Sequence, residues 1–291
     1  MSDEETSEYV MFGRTFEKYK WYKPILVFIL TMVFALILNG ILAVIFSQIV
    51  GLDFFDSIVH GGYETMNTEA GQIYSDLGII VLIPSLYLAA RIVKDRPFSS
   101  YVSSRGGWNY KLYLKAFIIP FILFMIFGII EAAMGGFKGT YHFSVVFLLI
   151  CLILIPLQCI AEEYLYRGLI MQTLGSWSNI PVLAIIIQSV IFAVSHGYNS
   201  LGNFEIFFGG LMFGFLAWKS NGIEVSSALH TAMNMSIALL VMFGIQSLAT
   251  NITLFDFAYA IVFEVIVFLI VYYVAMKTDW FGEIPENSKN S

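Results

Sequence analysis

The chain is patterned in blocks rather than residue by residue: apolar runs of about twenty residues, each closed off by a short polar stretch. About twenty residues is what a helix needs to cross the hydrocarbon core of a bilayer, at about 1.5 Å of rise per residue. Eight such blocks predict eight helices, over 24–50, 77–93, 113–135, 143–174, 180–197, 204–219, 223–247 and 255–277. No soluble domain fits between them, and neither an internal repeat nor a low-complexity tract interrupts them. The expected fold class is all-α: a single polytopic transmembrane bundle over 21–278, with polar cytoplasmic tails at 1–20 and 279–291. The longest connection is the loop 51–76.

Composition supports this reading. Of 291 residues, 58% are hydrophobic and only 12% are charged, where a soluble domain carries about a quarter charged. The net charge of −6, with no basic patch, argues against nucleic acid as a partner. Cys151 and Cys159 are eight residues apart, about 12 Å along a helix, too far to bridge. The opening "MSDEETSEY" is acidic and unlike a signal peptide. Of the 15 cationic residues, 13 fall at one set of helix ends: four in 14–23, six in 91–115, and Lys219, Lys277 and Lys289. Under the positive-inside rule both termini are then cytoplasmic in a multi-pass protein.

Ionisable groups within such blocks point to chemistry. "CIAEEYLYRG" follows a long apolar run and carries Glu162, Glu163 and Arg167. Glu163 and Arg167 stand four apart, in the order that favours a helical ion pair. Glu162 is rotated by about 100° and is left over, the condition for a general base in a low-dielectric site. An interfacial anchor for the helix end is an equally simple reading of these charges alone. "FAVSHG" sets His196 four residues after Phe192, at the far part of the fifth predicted helix, and "ALHTAMN" sets His230 and Asn234 four apart on one face. If the fourth helix continues to about Leu174, Glu162 lies about 18 Å from its cytoplasmic end, a depth similar to those of His196, His230 and Asn234. Tyr166, one turn after Glu162, is a candidate to bond it. Glu131 and Glu264 are lone acids in the third and eighth helices, and Gly209, Gly210 and Gly214 fit close helix packing.

These three motifs, EExxxR at 162–167, FxxxH at 192–196 and HxxxN at 230–234, resemble those of the CAAX-protease and bacteriocin-processing (CPBP, or Abi) family of intramembrane endopeptidases. The resemblance covers about 145–245. It implies an eight-helix bundle around a conical cavity open to the cytosol. It also implies that Glu162 and His196 activate water, that His230 and Asn234 form the oxyanion hole, and that Glu163 and Arg167 are a structural ion pair. The expected substrate is a hydrophobic, lipidated or membrane-associated peptide, hydrolysed without a cofactor. Two histidines and a glutamate can also hold zinc, so a metal set of Glu162, His196 and His230 stays open. So do a transporter and a non-catalytic immunity protein built on the same buried polar cluster.

Overall fold

The computed structural model describes residues 9–51, 68–135, 139–246 and 252–278. Lys138, Lys289, His60, the tail 279–291 and most of the loop 51–76 lie outside them. The described residues form eight long helices: α1 Lys23–Val50, α2 Glu69–Val93, α3 Tyr110–Gly135, α4 Val145–Ser178, α5 Pro181–Val194, α6 Ser200–Lys219, α7 Glu224–Met242 and α8 Leu254–Lys277. All but α5 are long and apolar enough to span a membrane. The chain is an all-α, multi-pass membrane protein, and the apolar blocks correspond one to one with its helices.

Three boundaries differ from expectation, each for a physical reason. First, α2 begins eight residues before the predicted 77, because its opening turns "EAGQIYSD" are polar and escape a hydropathy count. Thr68 caps them by accepting from Gly71 N at 3.0 Å, and Gln72 donates to Asp76 at 2.8 Å. The helix breaks at Val81, three residues ahead of Pro84, whose ring clashes with the carbonyl one turn back and which has no N–H to give. Second, α5 stops at Val194, so His196 lies beyond the helix rather than on it. There Ser195 Oγ and His196 Nδ1 both reach the Phe192 carbonyl at 2.7 Å, occupying an acceptor of the last turn.

Third, part of the N-terminal segment is buried rather than solvated. Tyr9–Thr15 forms a short 3₁₀ turn in which Tyr9, Val10, Met11 and Phe12 are buried. It is apolar, but too short to register as a block. It packs on the last turns of α4 together with the 94–109 connection, and Tyr9 donates to the Tyr101 carbonyl at 2.6 Å. Two glycines permit that approach: a Cβ on Gly175 would lie 2.4 Å from the Val10 carbonyl oxygen, and one on Gly168 2.7 Å from that of Tyr101.

The 94–109 connection is itself a polar core. Arg96 donates to Gln172 of α4 and stacks 3.8 Å over the Tyr101 ring. Arg105 pairs with Glu224 at 2.9 Å, and Asn109 N donates to the same carboxylate at 3.1 Å. Burial pushes the Tyr101 phenol up to about 12, so it stays a neutral donor at any physiological pH.

The fourth helix runs unbroken to Ser178, but not uniformly. It widens to π-helical turns at Ile150–Leu154 and again at Tyr164–Met171. The first wide stretch precedes Pro156, which cannot donate within the helix. The second starts directly after the glutamate pair, and such widened turns are common at functional sites.

Candidate active site

α4 and α7 pack against each other, and their facing polar residues meet. Arg167 Nη1 donates to Glu163 Oε1 at 2.9 Å, both side chains being fully buried. The ion pair read from the spacing is therefore present. The same oxygen accepts from His230 Nδ1 at 3.1 Å, while Glu163 Oε2 has no partner. Because a carboxylate only accepts, His230 carries its proton on Nδ1 and Nε2 faces the other carboxylate. That second contact, to Glu162 Oε2, is 3.6 Å, too long for a hydrogen bond. Glu162 is otherwise held by Gln158, one turn earlier, whose amide donates at 2.8 Å. Asn234 Nδ2 lies 3.4 Å from His230 Nε2 and 3.5 Å from Cys159 Sγ.

Aromatic rings fix this cluster. Phe213 stacks on His230 with centroids 4.8 Å apart. The Arg167 guanidinium sits 4.4 Å over Phe192 and 5.2 Å over Phe213, so its charge is met by two ring faces as well as by Glu163. Phe192 also meets His196 edge to face at 4.7 Å and His230 at 6.0 Å. The phenylalanine four residues before His196 thus touches Arg167, His196 and His230. Gln158 and Phe213 were not singled out in the sequence. The spacing of Gln158 to Glu162 was a legible signal, whereas Phe213 depends on which helix packs next.

His196 stands apart from the glutamates. Its Nδ1 faces the Phe192 carbonyl at 2.7 Å, so that nitrogen is the donor and Nε2 keeps the lone pair. Its contacts are with Phe192 and Ser195, not with Glu162. What it shares with His230 and Asn234 is a cavity of about 400 Å³. Glu162 is 8% exposed and is not part of that cavity's wall; it adjoins the wall through His230. Tyr166 bonds Ser195 at 2.7 Å rather than Glu162. Gly210 and Gly214 do pack closely, against Ser189 and Gln188 of α5, whereas a Cβ on Gly209 would meet nothing nearer than 3.9 Å.

The cavity runs from Phe192 and Asn234 toward Glu131, Gln246 and Asp256. These lie at the helix ends opposite the N-terminal segment. An opening toward the side of the termini was expected; this cavity extends toward the opposite ends, and Tyr9–Thr15 and the 94–109 connection pack on the last turns of α4. Glu131 accepts from Gln246, and Glu264 Oε2 is buried with no partner.

As a metal set, Glu162, His196 and His230 do not fit. Among the described residues no three His, Cys, Asp or Glu side chains converge to hold an ion.

A family described as "Type II CAAX prenyl endopeptidase Rce1-like" matches residues 142–236, an interval that contains all three motifs. The protein YyaK of Bacillus subtilis (strain 168), described as uncharacterized, is 29% identical over 174 residues, 55% of this chain. The aligned part spans 57% of that relative's length. No solved structure matches the chain. The chain is thus similar to that family over 142–236, the stretch from just before α4 to Ser236 of α7 and the part that carries the motifs.

Proposed function

We propose that the protein is an intramembrane endopeptidase that hydrolyses a hydrophobic, lipidated or membrane-associated peptide by direct attack of water. The observation that carries this reading is His230, with one ring nitrogen bonded to Glu163, the other facing Glu162, and Asn234 one turn on along a cavity wall. Amide hydrolysis needs a base for water, donors for the oxyanion and a proton for the leaving amine. Glu162 takes the proton from a water seated at its junction with His230 and returns it to the leaving nitrogen. His196, tied through Nδ1 to Phe192, offers Nε2 to orient that water. The Asn234 amide is a donor within reach of a developing oxyanion, and His230 adds Nε2–H when its ring is protonated on both nitrogens. The Glu163–Arg167 pair carries no chemistry; it holds the His230 ring in place. Both termini are taken as cytoplasmic from the distribution of lysine and arginine.

The test is cleavage of short farnesylated and unmodified hydrophobic peptides by purified protein, read by mass spectrometry beside Glu162→Gln. Products from the parent and none from the folded variant are expected, with activity surviving exhaustive chelation. Equal product formation by the variant would refute the role of Glu162. Loss on chelation with recovery on adding zinc would replace the metal-free mechanism.

A further inference from the structure

The half of the cavity farther from Arg167 is acidic. Glu131, Glu205, Asp256 and Glu264 line it, and among the described residues no lysine or arginine does. They come from α3, α6 and α8, and lie near enough for Glu205 to feel Asp256 and Glu131, and Glu264 to feel Glu205. Two of the four have structural work. Asp256 closes the capping box of α8, accepting from Thr253 N at 3.2 Å and Thr253 Oγ1 at 2.7 Å, and Glu131 accepts from Gln246. Glu264 does not. It is 93% buried, on the complement of its 7% exposure; it faces the cavity, and its Oε2 has no hydrogen-bond partner. Leaving a carboxyl oxygen buried and unpartnered is costly whichever protonation state it holds. Glu264 is ten residues into α8 and Asn234 eight residues from the end of α7, about 15 Å and 12 Å in from the same ends of the bundle. The unpartnered acid thus lies at about the depth of the polar cluster.

We propose that Glu264 and Glu205 form a subsite for a cationic group of the substrate peptide, an ammonium or a guanidinium, whose apolar remainder lies on the cavity's aromatic wall. The assignment rests on the peptidase reading for the word substrate, but the site is defined by its own geometry. An organic cation suits it better than a metal ion. No three ligating side chains converge among the described residues, whereas the N–H groups of a guanidinium spread over several ångströms and bond two separated carboxylates at once. The rings of Phe127, Phe263 and Tyr259 beside the acids add faces on which a desolvated cation is stable.

The experiment uses the full-length protein in detergent and a short fluorescent hydrophobic peptide carrying one arginine, its citrulline counterpart, and each with a free or an acetylated N-terminus. Binding is measured by anisotropy on Glu162→Gln protein, which does not turn over, and cleavage on the parent. A charged peptide is expected to bind about tenfold more tightly than its neutral counterpart. A preference that follows citrulline replacement assigns the guanidinium, and one that follows acetylation assigns the terminal ammonium. Adding Glu264→Gln is expected to bring the ratio to within about twofold, and Glu205→Gln with Glu264→Gln to abolish it. Unchanged thermal unfolding of Glu264→Gln shows that the fold persists, since its carboxylate gives up no hydrogen bond at Oε2. Equal binding of charged and neutral peptides, or a preference untouched in the double variant, overturns the subsite. Charge-dependent binding with no cleavage by the parent upholds the subsite and refutes the peptidase instead.

Discussion

Replacing Glu163 with glutamine keeps the shape of the side chain and removes its charge, which isolates what that charge does. Arg167 is fully buried, and its other contacts are weak: Nη2 reaches the Gly210 carbonyl at 3.4 Å and Nε has no partner. The rings of Phe192 and Phe213 attract the guanidinium but do not neutralise it. Removing one partner of such a pair costs about 3–5 kcal/mol, because the other is left charged in a medium that does not solvate it. Glutamine can still accept at the Oε1 position from both Arg167 and His230, so the lower end, about 3 kcal/mol, is expected. A chain somewhat larger than 250 residues loses roughly 2–4 °C per kcal/mol at most, so the midpoint should fall by roughly 6–12 °C. Glu162→Gln loses only a charge whose close partners are a neutral amide and a ring nitrogen at 3.6 Å. Its midpoint should move by less than about a quarter of that. The assay is thermal unfolding in one detergent, followed by tryptophan fluorescence. The sharper arm is the double variant Glu163→Gln with Arg167→Met, which has no stranded charge and should recover most of the loss. Equal destabilisation by Glu162→Gln and Glu163→Gln, or no recovery in the double variant, would refute the division between a structural and a working carboxylate.

Other outcomes follow from the same coordinates. Gly175→Ala should lower stability by about 1–3 kcal/mol, since the new methyl meets the Val10 backbone, and should expose the N-terminal segment to limited proteolysis. Gly40→Ala, where nothing lies within 4 Å, is the matched control. Asn234→Ala should lower the cleavage rate by about 10²–10³-fold with little change in peptide binding, as loss of one oxyanion donor does; a binding defect of the same size would remove it from that role. Cysteine in place of exposed Lys94 should resist an impermeant label in whole cells and cysteine in place of exposed Tyr141 should react, with the reverse pattern inverting the orientation.

The helices were legible because burial in lipid writes itself as hydrophobicity. What escaped was burial achieved with polar atoms. The first two turns of α2, with Gln72 bonded to Asp76, read as loop by composition. Arg96 and Arg105 counted only as cations at the cytoplasmic helix ends, yet Arg96 stacks on Tyr101 and donates to Gln172, and Arg105 pairs with Glu224. In the site, the Glu163–Arg167 pair was legible because four residues of helix fix the distance. The bond from His230 to Glu163 was not, since it depends on how α7 packs on α4. Nor was the separation of His196 from Glu162. That follows from α5 ending at Val194, a stop made by side-chain bonds to a single carbonyl.

The widened stretch of α4 at Tyr164–Met171 makes this helix two rulers joined out of phase. A π-turn takes in one more residue than an α-turn, so a wheel drawn through Glu162 misplaces everything after the join by about 100°. Gly175, which receives the N-terminal segment, falls on the second ruler and Gly168, which receives Tyr101, within the join, while Glu162 falls on the first. Deleting one residue within the stretch would leave the hydropathy profile almost untouched and still swing Gly175 off Val10. The tolerance of α4 to substitution and its intolerance to a change of length are therefore separate properties, and a screen of single-residue deletions would locate the join without any structural method.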